Sequence, residues 1–341
     1  MDIKNLLSEK NIREYYKTHK NFIAPYKLDQ FFDYKNFDNQ YIDVRSNKQI
    51  KTIIKHSKDK NSYIYLKLIT LFGKHIHINN ATSLVSNLLA LPLKDLTILK
   101  FFKKIRNEDS IHVGGPAIPN YAPNSVITCP RQKKVCQMKF VLEREFKKYN
   151  YKPEFYLDFG CGDCKLVKLF GESINIKSEN MYGADIESWG EYDTKKRKDL
   201  GINFVELKLN KKYDFKDNMF SVISCMMVLH HIDNLDFCLK ELNRIMKIGG
   251  YLYITEHMIV NYLEKMLVDI EHSIYEIVHH DNSEYYKTYI NNFYHLVEWD
   301  IILNHYGFEY IDHDYLYYNI TDQDDSTKRA WLMYKKIKNS T

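Results

Sequence analysis

The sequence contains no apolar run long enough to cross a bilayer, which takes about 20 consecutive residues as a helix. Its opening residues, MDIKNLLSEKNIREYYK, are charged throughout, where a secretory leader would need an apolar centre. The six cysteines are scattered along 341 residues, several inside expected regular elements. That is too sparse for the disulfide framework of a small secreted domain. No internal repeat or long low-complexity tract is visible. These absences lead to the expectation of a soluble, cytoplasmic protein with no membrane partner.

What is present is globular in character. Apolar residues make up 45% of the chain, enough over this length for a sizeable core in one main domain with an appended region. The formal net charge of +5 favours a polyanionic partner only slightly. Basic residues do cluster: Arg131, Lys133, Lys134 and Lys139; Arg144, Lys147 and Lys148; and Lys195, Lys196, Arg197 and Lys198. Aromatic rings beside such cations stack bases. With 28 tyrosines spread over the whole chain, however, that interleaving discriminates little. The abundance of Tyr, Lys, Asn and Ile fits AT-rich coding, as in a large DNA virus or a protist, and says nothing of function.

Residues 1–110 carry no recognisable motif and are expected to form a small, mainly helical accessory domain, able to take a protein partner. Apolar residues are dense at 62–72 and 83–105, the second run reading as two helices that meet near Pro92. A stretch with Gly114, Gly115, Pro116, Pro119, Pro123 and Pro130 follows, and no regular helix accommodates it. Residues 111–138 are therefore expected to be a linker or a lid, ahead of a main domain at 139–341.

The most informative stretch is FYLDFGCGDCK at 155–165. An apolar strand ends in Asp158, a turn holds Gly160, Cys161 and Gly162, and a helical pattern begins at Asp163. Glycines there let a ligand approach the backbone, because no Cβ stands in the way. A second apolar run, Met181 to Ala184, ends in Asp185, where a carboxylate accepts hydrogen bonds from a ribose diol. A third strand is expected at 203–207 and a fourth at 221–227, followed by Leu229, His230 and His231. A helix follows at 236–247, closed by Gly249 and Gly250 in the manner of a helix C-terminus. A fifth strand at 251–255 leads into Glu256 and His257. Further on, a helix is expected at 299–306, stopped by Gly307, with strands at 308–314 and 330–336.

This ordered set closely resembles the class I S-adenosylmethionine (SAM)-dependent methyltransferases, including the ubiquinone-biosynthesis C-methyltransferases. The motifs that carry the resemblance are DFGCG, GAD, DNMFSVISCMMVLHHIDN and LKELNRIMKIGGYLYITEH. The likeness spans about a third of the chain, residues 152–258. It implies an α/β fold with a seven-stranded Rossmann-like sheet, helices on both faces, and its last two strands an antiparallel pair at the sheet edge. SAM is the implied cofactor. Asp158, Gly160, Cys161 and Gly162 would pack against its methionine part, with Asp158 organising the loop or reaching the ammonium directly or through water. Asp185 would hold the ribose and Ile186 would lie against adenine. Leu229, His230 and His231 follow the fourth strand, where the family places groups facing the methyl donor.

The chemistry itself needs few side chains. A sulfonium is already activated, so the protein chiefly orients the nucleophile, and a base is needed only where the acceptor must lose a proton. His230, His231 and His257 are the candidate bases, each with a structural role as the alternative. Adjacent histidines are expected to point in different directions, so that at most one of His230 and His231 faces the site. No metal is expected: His279, His280 and Asp281 lack ligand spacing, and Cys161 and Cys164 lie inside the cofactor loop, read as neither redox pair nor zinc knuckle.

Three positions depart from the family pattern. Cys164 stands for the usual third glycine. The acidic residue that often follows the third strand is missing, leaving the Asn210 amide as its substitute toward adenine. Ser221 replaces the aspartate before the fourth strand. These departures keep a non-catalytic scaffold open as an alternative. A Lys-Asp-Lys-Glu tetrad for ribose 2′-O-methylation is not matched, whereas guanine-N7 methylation needs no strong base. The segment 261–294 is an insertion rich in His, Tyr and acidic residues, including Glu271, His272, Tyr275, Glu276, His279, Tyr285 and Tyr289. Insertions at this place in the family cover the acceptor, and this content suits a planar or cationic one, a surface helix pair being the alternative. The acceptor expected first is nucleic acid, RNA and possible cap chemistry in particular, with small-molecule and protein acceptors as alternatives.

Overall fold

The structure is a computed structural model that describes residues 3–18, 130–186, 200–257, 292–316 and 329–340. The apolar runs at 62–72 and 83–105, the Pro/Gly stretch up to residue 129, the basic run at 195–198 and the insertion up to residue 291 lie outside the described residues.

Seven strands form one sheet: β1 (Tyr156–Phe159), β2 (Met181–Asp185), β3 (Asn203–Glu206), β4 (Phe220–Met226), β5 (Met246–His257), β6 (Phe308–Leu316) and β7 (Arg329–Lys336). Their order is β3-β2-β1-β4-β5-β7-β6. The first five strands are parallel, and β7 runs antiparallel between β5 and β6. This is the Rossmann-like methyltransferase sheet expected from the motif order. The chain reverses its direction of travel across the sheet between β1 and β4. A crevice opens at such a switch point, outside the carboxyl ends of the strands.

Period-2 alternation divides the strand residues between two cores. Leu157, Phe159, Ile223, Cys225, Leu252 and Ile254 face one side, with helices α5 (Leu235–Ile245) and α6 (Leu296–His305). Tyr156, Val222, Tyr251 and Tyr253 face the other, with α3 (Pro130–Tyr149) and α4 (Lys165–Ser173). Both faces are covered, so the central strands read as nearly unbroken apolar runs. Helix α3 buries Val135, Met138, Leu142 and Phe146, spaced by three and four residues on one stripe. Phe146 meets Tyr251 edge-on at 5.5 Å.

Helix α5 starts at Asn234, whose side chain accepts a hydrogen bond from Phe237 N at 3.1 Å. It buries Leu235, Cys238, Leu239, Leu242 and Ile245. Its end corrects the sequence reading. Gly249 and Gly250 do not close the helix, because Met246 is already extended and the two glycines lie inside β5. The strand bulges there, with a register shift opposite Phe220–Val222. Gly249 takes φ +81°, and a Cβ on Gly250 would sit 2.9 Å from Lys247 O and 3.0 Å from Ser221 O. The helix end is met instead by Lys336, fully buried, whose Nζ donates to Asn243 O at 2.7 Å and Met246 O at 2.8 Å.

Two features bear on the expected domain limits. Helix α3 is continuous through 138/139, the place where linker and main domain were expected to meet. Near the N-terminus, α1 (Ile3–Leu6) and α2 (Glu9–Thr18) lie against α6, and Leu7 and Ile12 enter its core. Tyr15 Oη donates to Asp300 Oδ2 on α6 at 2.8 Å. No described helix is long and apolar enough to cross a membrane.

Candidate active site

The turn after β1 is held from beneath and from the side. Gly160 N and Cys161 N both donate to Ala184 O, at 2.8 and 3.2 Å. Gly160 takes φ +76°, and a Cβ there would be 2.3 Å from Val228 Cγ2, so only glycine allows the turn to rest on the β4 loop. Gly162 N donates to Asp185 Oδ2 at 2.7 Å, and Ile186 N donates to Asp185 Oδ1 at 2.8 Å. The strand-end carboxylate and the glycine turn are thus one unit. A carboxylate is the kind of acceptor that a ribose diol calls for. That arrangement fits the ribose of SAM.

Asp158 is buried behind the turn. Ser224 Oγ donates to its Oδ1 at 2.5 Å, and Tyr156 Oη lies 2.7 Å from the same serine. Burial pushes the Asp158 carboxyl up to about 7, with Asp185 adding to the rise and the Ser224 hydrogen bond opposing it. This geometry ties the Asp158 carboxyl to β4 through Ser224.

Cys164 explains why the family prefers glycine at this position. It sits at φ 58° as the N-cap of α4, a left-handed conformation that costs a residue with a Cβ. Its Sγ lies 3.1 Å from Cys161 Sγ, and both sulfurs press on Gly183 of β2, where a Cβ would come within 2.8 Å of each. The Cys161 thiol is pushed up by its contact with Cys164 and by burial. Ser221 also has a positive account: its Oγ accepts from Glu154 N at 3.0 Å and Phe155 N at 3.4 Å, holding the chain as it enters β1.

At the carboxyl ends of β4 and β5 the three candidate histidines come together. His230 and His231 occupy a 3₁₀ turn (Leu229–His231). Their rings are 4.1 Å apart, closer than the expectation of divergent directions allowed, although successive side chains of a 3₁₀ turn leave it about 120° apart. His257 meets His230 edge-on at 5.1 Å, and Phe293 stacks on His230 at 5.4 Å. Burial, with the charge of His230 second, holds the His231 imidazole well below its usual range. Asn292 clamps the turn from outside: its N donates to His230 O at 3.0 Å and its Nδ2 to Ile232 O at 2.6 Å.

Sequence reasoning placed Glu256 at the end of β5 without giving it a role. Its Oε1 accepts from Leu229 N at 2.9 Å, and its Oε2 lies 2.5 Å from His230 Nδ1. The spacing of 26 residues leaves no local signal for that pair. Two expected cofactor contacts sit differently. The Leu229 side chain is fully buried in the core, and its N–H is taken by Glu256. Asn210 is exposed in a turn at φ 54°. Among the described residues no group of three or more His, Cys, Asp or Glu side chains is placed to hold a metal ion.

The strand order and the glycine turn locked to the β2 carboxylate are those of the class I SAM-dependent methyltransferase fold. Residues 157–254 match the family described as methyltransferase domain. No curated protein matches it. Among solved structures it is similar to a SAM-dependent methyltransferase from Mesorhizobium loti, at 12% identity over 53% of this chain and 90% of that one, TM-score 0.40. It is also similar to geranyl diphosphate C-methyltransferase from Streptomyces coelicolor, at 10% identity over 65% and 89%, TM-score 0.41, a structure that contains Mg²⁺, geranyl diphosphate and S-adenosylhomocysteine.

Proposed function

We propose that the methyl acceptor is a small molecule, taken in among the rings at the carboxyl ends of β4 and β5. The observation that carries this reading is the burial there: His230 is 1% exposed, His257 2% and Phe293 2%. Rings packed this closely suit a compact acceptor, since a base within a polynucleotide would have to leave its stack and enter, at a cost of a few kcal/mol.

The nucleic-acid reading rested on basic clustering. Of those residues, Lys139 lies 3.7 Å from Glu143, and Arg144 pairs with Asp312 at 2.6 Å. Cations already matched by carboxylates contribute less to counterion release on binding a polyanion.

The test is transfer from tritiated SAM to a metabolite extract, to capped and uncapped RNA and to a protein extract, side by side, with Asp185→Ala as control. Label in the metabolite fraction is expected, together with loss of about 2 kcal/mol of SAM affinity in the control, read by calorimetry. Label confined to RNA or to protein overturns the small-molecule reading, and no label despite tight SAM binding leaves a scaffold.

A further inference from the structure

We infer that Cys161 and Cys164 are a redox couple built into the cofactor turn, whose reversible disulfide weakens SAM binding. The inference goes beyond the acceptor reading above and rests on the cofactor site alone.

Against the expectation from sequence, the two thiols meet. Cys164 N donates to Cys161 O at 3.0 Å, closing the turn between them. Their Sγ atoms lie 3.1 Å apart. A disulfide needs ~2.05 Å, so an approach of about 1 Å joins them. Gly183 makes the meeting possible, since a Cβ there would come within 2.8 Å of both sulfurs. The turn gives the pair its consequence. Gly162 lies between the cysteines, and its N donates to Asp185 Oδ2 at 2.7 Å, the bond that joins the turn to the β2 carboxylate. Gly162 O faces both thiols, 3.9 Å from Cys161 Sγ and 4.0 Å from Cys164 Sγ. S–H is a weak donor, yet these are the hydrogens that this carbonyl meets. Oxidation removes both hydrogens and draws the sulfurs together. Strand β2 bars them from moving toward Gly183, so the shift falls on the turn and loosens Gly162 from Asp185.

The oxidant is hydrogen peroxide. One thiolate attacks a peroxide oxygen, the O–O bond breaks, and the sulfur becomes a sulfenic acid. The hydroxide that leaves takes up the proton released by that thiol and becomes water. The second sulfur then bonds to the sulfenic sulfur and expels its oxygen, which carries away the second thiol proton as another water. Two thiols and one peroxide thus give one disulfide and two waters, and a dithiol reverses the change by exchange. Contact with Cys164 and burial push the Cys161 thiol up, so it stays protonated in the closed turn. Attack needs the thiolate and therefore follows opening of the turn. Bound SAM holds the turn shut and protects the pair. By linkage, a cofactor that prefers the dithiol makes it harder to oxidise by the same factor. Each tenfold preference raises the midpoint potential by about 30 mV.

The test oxidises the full chain with hydrogen peroxide and, in a second arm, equilibrates it in dithiothreitol redox buffers with and without SAM. Peptide mapping of the oxidised protein should show Cys161 joined to Cys164. Calorimetry should show SAM affinity falling about tenfold or more on oxidation and returning after dithiothreitol. The midpoint potential with saturating SAM should lie above that of the free protein by the amount the affinity ratio sets. Cys164→Gly, and independently Cys161→Ser, should each bind SAM equally well before and after peroxide. Absence of the Cys161–Cys164 disulfide, an affinity that oxidation leaves unchanged or raises, or a midpoint indifferent to SAM overturns the inference. A peroxide-induced loss of affinity that persists in both variants belongs to other groups and overturns it too. Failure of the reduced wild type to bind SAM overturns the methyltransferase reading itself, a separate outcome.

Discussion

Cys164 occupies a conformation that favours glycine and is retained there by its packing. Relieving φ 58° should stabilise the turn by about 1 kcal/mol, whereas removing a thiol packed against Cys161 and Gly183 should cost about as much. Cys164→Gly is therefore expected to melt within a few degrees of wild type and to bind SAM as well or better. Cys164→Ala keeps the strained φ and loses the contact, so it should melt lower than either. Calorimetry and thermal unfolding of the three proteins check this, and a tenfold loss of SAM affinity in the glycine variant would show that the thiol itself is needed. Asp185 differs from Cys164 in how readily it is read. A carboxylate at the end of a short apolar strand, about twenty residues after a glycine turn, is visible from local pattern alone. That Gly162 N donates to it at 2.7 Å is visible only once β1 and β2 lie side by side.

At the scale of elements, the junction of α5, β5 and β7 depends on one long-range cation. Lys336 Nζ is fully buried and donates to Asn218 Oδ1 at 3.0 Å as well as to the two carbonyls at the end of α5. Lys336→Met would match its length and leave two buried carbonyls, Asn243 O and Met246 O, without the ammonium donor. A loss of about 3 kcal/mol is expected, seen as a lower urea midpoint with an unchanged slope. An unchanged midpoint would mean that neighbouring groups replace the ammonium. The misreading of Gly249 and Gly250 has its physical reason here. Two glycines after an amphipathic helix are a sound local stop signal. The helix ends earlier, because Met246 is drawn into the sheet opposite Phe220 and its carbonyl is satisfied by a lysine 90 residues away.

For the whole molecule, two buried carboxyls make stability depend on pH. Asp158 behind the cofactor turn and Asp300 on α6 are each pushed up to about 7, burial being the largest cause for both. In the unfolded chain they titrate near ~3.9. Between those values the folded protein holds protons that the unfolded chain has released. The stability they contribute is therefore fully present below about pH 4 and is lost as pH rises through about 7. The cofactor-free protein should melt higher at pH 5.5 than at pH 8, and Asp300→Asn should flatten that slope; an equal slope in the variant would assign the dependence elsewhere. The sequence alone placed most strands and helices along the chain, the glycine turn and the strand-end carboxylate, because each is written in residues close together: an alternating or apolar run, a glycine turn, an acid at a strand end. Only the tertiary structure decided that Glu256 meets His230, that the three histidines share one cluster, that Lys336 closes α5 and that Tyr15 fastens the N-terminal helices to Asp300. Those contacts join residues from 26 to 285 positions apart. Their partners are set by sheet register and helix docking, which no local pattern records.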